Sequence, residues 1–140
     1  MIWKKPINID ELNRMGVNTM AALLGIRFTG SSDNSLIAEM PVDHRTHQPA
    51  GVLHGGASVA LAETMGSVAS FMCLENDMIP VGLEINANHV RPVATGYVIG
   101  TVTPLHIGAR THVWNIKIEN KEGKLICASR LTTAIIPRPK

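Results

Sequence analysis

Glu63 is the one charged side chain between Gly55 and Leu74, in a run made otherwise of apolar and small residues. A carboxylate in such a stretch loses hydration and needs compensation. Glu63 is therefore a candidate general base or nucleophile whose pKa burial would tune. The competing reading is a carboxylate hydrogen-bonded in a core or at a subunit seam. Ser67, four residues on, shares the same helical face and can hydrogen-bond it. The run opens on Gly55, Gly56 and Ala57, which let a ligand or backbone approach the free N–H groups of a helix start. Those groups, with the positive end of the helix dipole, suit an oxyanion, although tight packing would explain a glycine pair equally well. No Gly-Lys-Ser/Thr follows, so this is not a phosphate loop. His54, directly before the helix, is expected to face the same site.

Two further sets of residues carry chemistry. Asp43, His44, His47 and His54 raise the question of zinc, but no cysteine lies near and the spacing fits no common finger, so no metal site is expected. His89, Arg91, His106 and Arg110 fall near strand ends. They form either a solvated rim or a basic mouth for a phosphorylated ligand.

Spacing constrains how these groups cooperate. Gly55 and Glu63 are eight residues apart, about 12 Å along a helix, and a general base must lie within hydrogen-bond reach of the group it serves. Glu63 cannot act on a carbonyl held at its own helix start. Two antiparallel helices about a two-fold axis solve the problem, each Glu63 reaching the other chain's Gly55 in an isologous dimer with two composite sites.

The elements that position these residues follow from the pattern. The length of the central run and its lack of proline predict a helix over residues 55–74, ended near Asn76 and Asp77. Being apolar on every side, it should be wrapped by other structure. Residues 10–15 and 19–24 read as two short helices with Asp10 and Thr19 as N-caps and Gly16 and Gly25 as stops. Residues 26–29 and 36–42 alternate and form a hairpin, and residues 43–52 are a polar loop. Strands are expected over 81–93, 97–107, 110–119 and 124–136, with short turns that impose antiparallel neighbours. On the first of these, Val81, Leu83, Ile85 and Ala87 should share one face that runs on to His89 and Arg91. The fold class is α+β, a helix packed on one face of a curved antiparallel sheet.

At 140 residues the chain reads as one domain, residues 1–140, large enough for a real core. A net charge of +2 is too weak to argue for nucleic acid. The low charged fraction, 17%, hints that some surface is covered in a subunit contact. Cys73 and Cys127 make no disulfide framework, and no signal peptide is evident, which fits a reducing cytoplasm. The central run has about the length of a membrane span, but Glu63 and the many Gly, Ser and Ala count against that reading.

The stretch from Gln48 through Pro49, Ala50, Gly51, Val52, Leu53 and His54 to Gly55-Gly56-Ala57, followed by Glu63 and Ser67, resembles the hotdog-fold acyl-CoA thioesterases of the PaaI/4-hydroxybenzoyl-CoA type, in particular the branch that serves menaquinone and siderophore synthesis. The likeness covers nearly the whole chain. It implies a hotdog fold, a long central helix wrapped by a curved antiparallel sheet of about six strands, assembled as a homodimer with shared sites and then a dimer of dimers. It implies that Glu63 attacks the thioester or activates water, that Gln48 and the Gly55 N–H polarise the carbonyl, and that His54 and Ser67 place the reacting groups. It implies that Gly82, His89, Val90, Arg91 and Pro92, with His106, Ile107, Gly108, Ala109, Arg110 and Thr111, hold the nucleotide and pantetheine of coenzyme A. Coenzyme A is then part of the substrate, and no separate cofactor is needed; a carrier-protein thioester is the other form of substrate. Family members often carry Phe where this chain has Ala50, which would widen the pocket beside the catalytic loop. Two other functions are compatible with the same frame. A hotdog hydratase or dehydratase would work with a histidine, and the helix holds none beside Glu63. A non-catalytic acyl-CoA binding module would not need Glu63.

Overall fold

The computed structural model describes every residue from Met1 to Lys140. The elements in chain order are α1 (Ile9–Met15), α2 (Met20–Leu23), β1 (Arg27–Ser31), β2 (Leu36–Pro41), α3 (Gly55–Met72), β3 (Met78–His89), β4 (Tyr97–Ile107), β5 (Thr111–Asn120) and β6 (Leu125–Pro137). The strands form one six-stranded antiparallel sheet in the order β1-β2-β4-β5-β6-β3. The sheet curves around α3, as the α+β reading and the hotdog likeness imply.

Beneath the helix lie Leu36, Ala38, Met40, Val98, Val102, Trp114, Ile116, Ile118 and Leu131, all fully buried. Two glycine contacts show how close the helix sits. A Cβ at Gly66 would lie 2.5 Å from Leu131 Cδ2, and one at Gly100 would lie 2.5 Å from Met65 Sδ. The core-facing side of α3 (Ala57, Ser58, Leu61, Ala62, Met65, Gly66, Ala69, Ser70) is buried. Val59, Ala60, Glu63, Thr64, Ser67, Val68 and Phe71 are only half-buried. The helix is thus wrapped on one side, not all round as its composition suggested.

Three local expectations change. Asn8, not Asp10, caps α1, its side chain accepting from the Glu11 N–H. Thr19 precedes α2 but makes no side-chain cap; its hydroxyl donates to Gly16 O instead. The central helix stops at Met72 with Cys73 as its cap residue. The reason is tertiary. The Lys4 and Lys5 N–H groups both donate to Met72 O, and Lys5 Nζ donates to Phe71 O and Leu74 O, so the first residues of the chain take up the last helical carbonyls. Nothing local to residues 73–77 announces that.

The largest correction concerns strand order. β3 does not neighbour β4 but pairs with β6 at the far edge of the sheet. Residues 90–96, extended, reach up to about 24 Å, and three strand spacings are only about 14 Å. This short link can therefore cross the sheet. It does so beneath the start of α3, where the Leu53 N–H donates to Val93 O, and it joins the β2 side where the Val42 N–H donates to Gly96 O. A second correction sits within β3. The register slips between Gly82 and Glu84, and one extra residue reverses which side chains face inward. Ile85 and Ala87 pack on the core as expected, but Val81 and Leu83 are exposed, and Gly82 turns toward the helix in their place.

Candidate active site

The loop before α3 and the crossing link bring together one group of candidate residues. Gln48, Leu53, Gly55, Ser58, His89 and Arg91 line a cavity of about 370 Å³, with Val90, Pro92 and Ile126 completing its wall. In the 48–51 turn, the Ala50 N–H donates to Gln48 Oε1 at 2.6 Å. A backbone N–H can only donate, so the amide oxygen is occupied and Gln48 Nε2 is the group left free to donate. Gly55 is the first residue of the helix, and its N–H has no acceptor in the chain, whereas those of Ala57 and Ser58 donate to His54 O. The His89 ring lies directly across this point: a Cβ on Gly55 would be 2.9 Å from His89 Nε2. Glycine leaves room for the ring at this point.

His54 departs from expectation. Its Nδ1 accepts the Gly56 N–H at 2.7 Å, making it the N-cap of α3. Its ring lines a different cleft, with Met20, Thr46 and Ala60, on the other side of the helix start. His54 therefore removes one of the two glycine N–H groups from play and leaves Gly55 as the open donor. With Nδ1 accepting, the proton of the neutral ring sits on Nε2. Two of the remaining zinc candidates are also engaged elsewhere. Asp43 pairs with Arg45 at 2.7 Å, which holds its carboxyl well below the usual range, and His47 Nε2 bonds to Ala94 O at 2.8 Å. No three potential ligands gather.

Glu63 lies outside this group. It is half-buried on the open stripe of α3, beside the β3 edge, where a Cβ at Gly82 would lie 2.7 Å from its Oε2. Gly82 thus leaves room for the carboxylate. Ser67 shares the stripe but is not its hydrogen-bond partner; the helix serine that makes side-chain bonds is Ser70. The β4–β5 turn lies toward this same end. Thr111 and Val81 flank Ala134 on either side of β6, and the Ile135 N–H donates to Arg110 O. Gly108 closes the turn by donating its N–H to Thr111 O, while His106, Ile107, Ala109 and Arg110 are exposed.

Within one chain the candidate residues therefore fall into two groups. Gln48, Gly55 and residues 89–92 gather at the helix start, while Glu63, Ser67, Gly82 and residues 106–111 lie toward the other end. His89 lies seven positions along β3 from Gly82, roughly 20 Å of strand. Ala50 stands exposed at its turn.

Sequence reasoning missed two sets of residues. Ser58 lines the first cavity while only 1% exposed; lying three residues beyond Gly55, it could have been found from helical periodicity. Ser70, His112, Trp114 and Thr133 form a buried polar hub. Trp114 Nε1 donates to Ser70 Oγ at 2.6 Å, Thr133 Oγ1 lies at 2.9 Å, and His112 Nδ1 lies at 3.2 Å. Burial, and then the nearby His106, push the His112 pKa down. No local pattern joins four residues from a helix and two strands.

An antiparallel sheet wrapped on a long helix, with an open N–H at the helix start and a carboxylate on the helix flank, is the frame of a hotdog thioesterase. The chain belongs to the Thioesterase superfamily, whose sequence pattern matches residues 50–127, and is a thioester hydrolase. It is 55% identical over 136 residues, 97% of this chain and 100% of the other, to the 1,4-dihydroxy-2-naphthoyl-CoA hydrolase of Escherichia coli. A thioesterase crystal structure from Haemophilus influenzae superposes with a TM-score of 0.96 at 50% identity, covering 98% of this chain and 96% of that one. A mutant thioesterase from Pseudomonas aeruginosa gives 0.97 at 46% identity, covering 99% and 100%. No helix is long and apolar enough to cross a membrane.

Proposed function

We propose that this chain hydrolyses an aromatic acyl-CoA thioester at sites shared between two copies, with the 1,4-dihydroxy-2-naphthoyl thioester as the first candidate substrate. One copy supplies Gln48, the Gly55 N–H and residues 89–92; its mate supplies Glu63, Ser67, Gly82 and residues 106–111. The observation that carries the reading is the separation within one chain of the free Gly55 N–H from Glu63, each at its own group of candidate residues. The half-buried stripe of α3 and the β3 edge are the surfaces that a second copy would cover.

In this arrangement the thioester oxygen accepts hydrogen bonds from the Gly55 N–H and Gln48 Nε2, which polarises the carbonyl. Glu63 of the mate either attacks the carbonyl carbon or takes a proton from the attacking water. Collapse of the tetrahedral species breaks the C–S bond and expels the coenzyme A thiolate, which leaves as the thiol once protonated. When Glu63 attacks first, water then cleaves the anhydride it has formed. His89 and Arg91 from one side, and His106 and Arg110 from the other, supply donors for the phosphates of coenzyme A. The acyl group has a place beside Glu63. Leu12, Met15, Met20, Phe28, Thr64 and Val68 line a mostly apolar cleft of about 300 Å³, in which α1 and α2 cover the α3 residues next to Glu63 and Ser67. The E. coli relative's name supports the naphthoyl candidate.

Thiol release from purified protein, followed across naphthoyl-, benzoyl- and straight-chain acyl-CoA thioesters and an aromatic carrier-protein thioester, tests this reading. The expected order places the naphthoyl and benzoyl CoA thioesters first in kcat/KM. A preference of tenfold or more for straight-chain or carrier-bound substrates would overturn it.

A further inference from the structure

Ser58 lies in the second turn of α3, three residues beyond Gly55 and therefore on the same helical face. Helical Cβ atoms tilt toward the N-terminus, so its side chain leans toward the open end of the helix. The residue is 1% exposed, yet its hydroxyl has no hydrogen-bond partner in the chain. No buried polar side-chain atom of the structure lacks a partner. The small remaining exposure of Ser58 therefore includes its Oγ, and the surface it reaches is the cavity it shares with Gln48, Gly55, His89 and Arg91. The contrast with Ser70 is sharp. Twelve residues on along the same helix and equally buried, Ser70 has every hydrogen-bonding capacity engaged. An unengaged hydroxyl in such a place has a ligand atom or water as its partner.

We infer that Ser58 is a further catalytic residue, a hydroxyl donor that joins the Gly55 N–H and Gln48 Nε2 on the thioester oxygen as it becomes an oxyanion. The inference rests on the hydrolase reading above. A ground-state carbonyl oxygen offers two lone pairs and is satisfied by two donors. The tetrahedral oxyanion offers three and accepts a third. A donor engaged only when the carbon becomes tetrahedral stabilises the transition state without tightening substrate binding, so it raises kcat and leaves KM alone. A hydroxyl suits this task because it can rotate toward the oxygen as the geometry changes. The step adds no reactant: Ser58 keeps its proton throughout and forms no covalent bond.

Ser58→Ala removes the donor, and Ser58→Cys restores the volume while offering only a weak one. Both variants are compared with wild type for kcat, KM and Tm on an aromatic acyl-CoA, with Glu63→Gln measured beside them. The expected result is a loss of kcat on the order of 10²-fold in both, with KM within about twofold of wild type and Tm nearly unchanged. Wild-type kcat in Ser58→Cys would overturn the inference, because filled volume would then suffice. A raised KM at constant kcat would also overturn it, as would a loss of activity that tracks a fall in Tm. The Glu63→Gln arm separates this failure from a failure of the hydrolase site. An inactive Glu63→Gln beside fully active Ser58 variants removes Ser58 alone, whereas an active Glu63→Gln removes the site on which Ser58 depends.

Discussion

The two faces of α3 are built to opposite standards. On the inner face, Gly66 lets the helix settle onto Leu131, and Ser70 meets Trp114, His112 and Thr133 in a hub where donors and acceptors balance. The indole must donate, leaving the Ser70 hydroxyl to accept once more and donate once, and either neutral tautomer of His112 completes the set. On the outer face, Glu63 and Ser67 are half-buried beside the edge strand. One face is sealed against the sheet and the other is only half-covered in a single chain. The difference teaches where the helix ends its structural work: beyond the helix start, where Gly55 and Ser58 open onto the cavity, substitutions inside should change stability, and those outside should change chemistry.

The largest effect tests the outer face. Glu63→Gln keeps the shape and removes the base or nucleophile, so kcat should fall by about 10²–10⁴-fold or more while Tm stays within a degree or two. Steady-state kinetics beside a thermal melt check this, and retention of more than a tenth of wild-type turnover would break the comparison. Ser70→Ala tests the inner face. It leaves up to three buried partners short of a bond, on the order of 2–3 kcal/mol, and should lower Tm by roughly 5–10 °C. A melt that does not move would show that the hub is not structural.

Gly82→Ala probes the boundary between the faces. The new Cβ meets only the far end of the Glu63 side chain, so the carboxylate can swing away at little cost in stability but loses its position. An activity loss of around tenfold with an unchanged melt is expected, and Gly82→Ala with wild-type kcat would show that the carboxylate's position at the β3 edge does not matter. The smallest effect is a pH dependence. Burial holds the folded-state pKa of His112 below its ordinary 6.5. Between those two values the unfolded chain binds a proton that the folded chain refuses, so this contribution to stability is complete above the ordinary pKa and declines as pH falls through the window. The fall in Tm between pH 7.5 and 5.5 should be smaller in His112→Gln than in wild type. Equal falls would remove His112 from the account.

The comparison also explains what could be read from the chain. The helix, the hairpin and the later strands show in periodicity, because each is specified locally. The β3–β4 connection misleads because seven extended residues reach either a neighbouring strand or one three places away, and only the finished sheet decides. The bulge at Leu83 is invisible for the same reason: alternation looks intact through Val81, Leu83 and Ile85, and the slip appears only against β6. At the site, Glu63 and Gly55 are conspicuous, being the one charge and the glycine opening of a small-residue run. His54 misleads because adjacency to the helix start suited it equally to capping, the role it takes. Ser58 and Ser70 look alike in sequence and are equally buried, and only their partners distinguish an engaged hydroxyl from a free one.

The shared site is the central claim, and mixing two defective homodimers tests it most directly. Glu63→Gln and Gln48→Ala are each expected to be nearly inactive, by different defects. Co-refolded at equal amounts with random pairing, about half the dimers are heterodimers, and in each of these one site carries both lesions and the other carries neither. About a quarter of wild-type activity should then return, because half the dimers hold one intact site of two. Heterodimers demonstrated by mass spectrometry, in a mixture no more active than its parents, would contradict the account, since a site confined to one chain keeps one lesion everywhere.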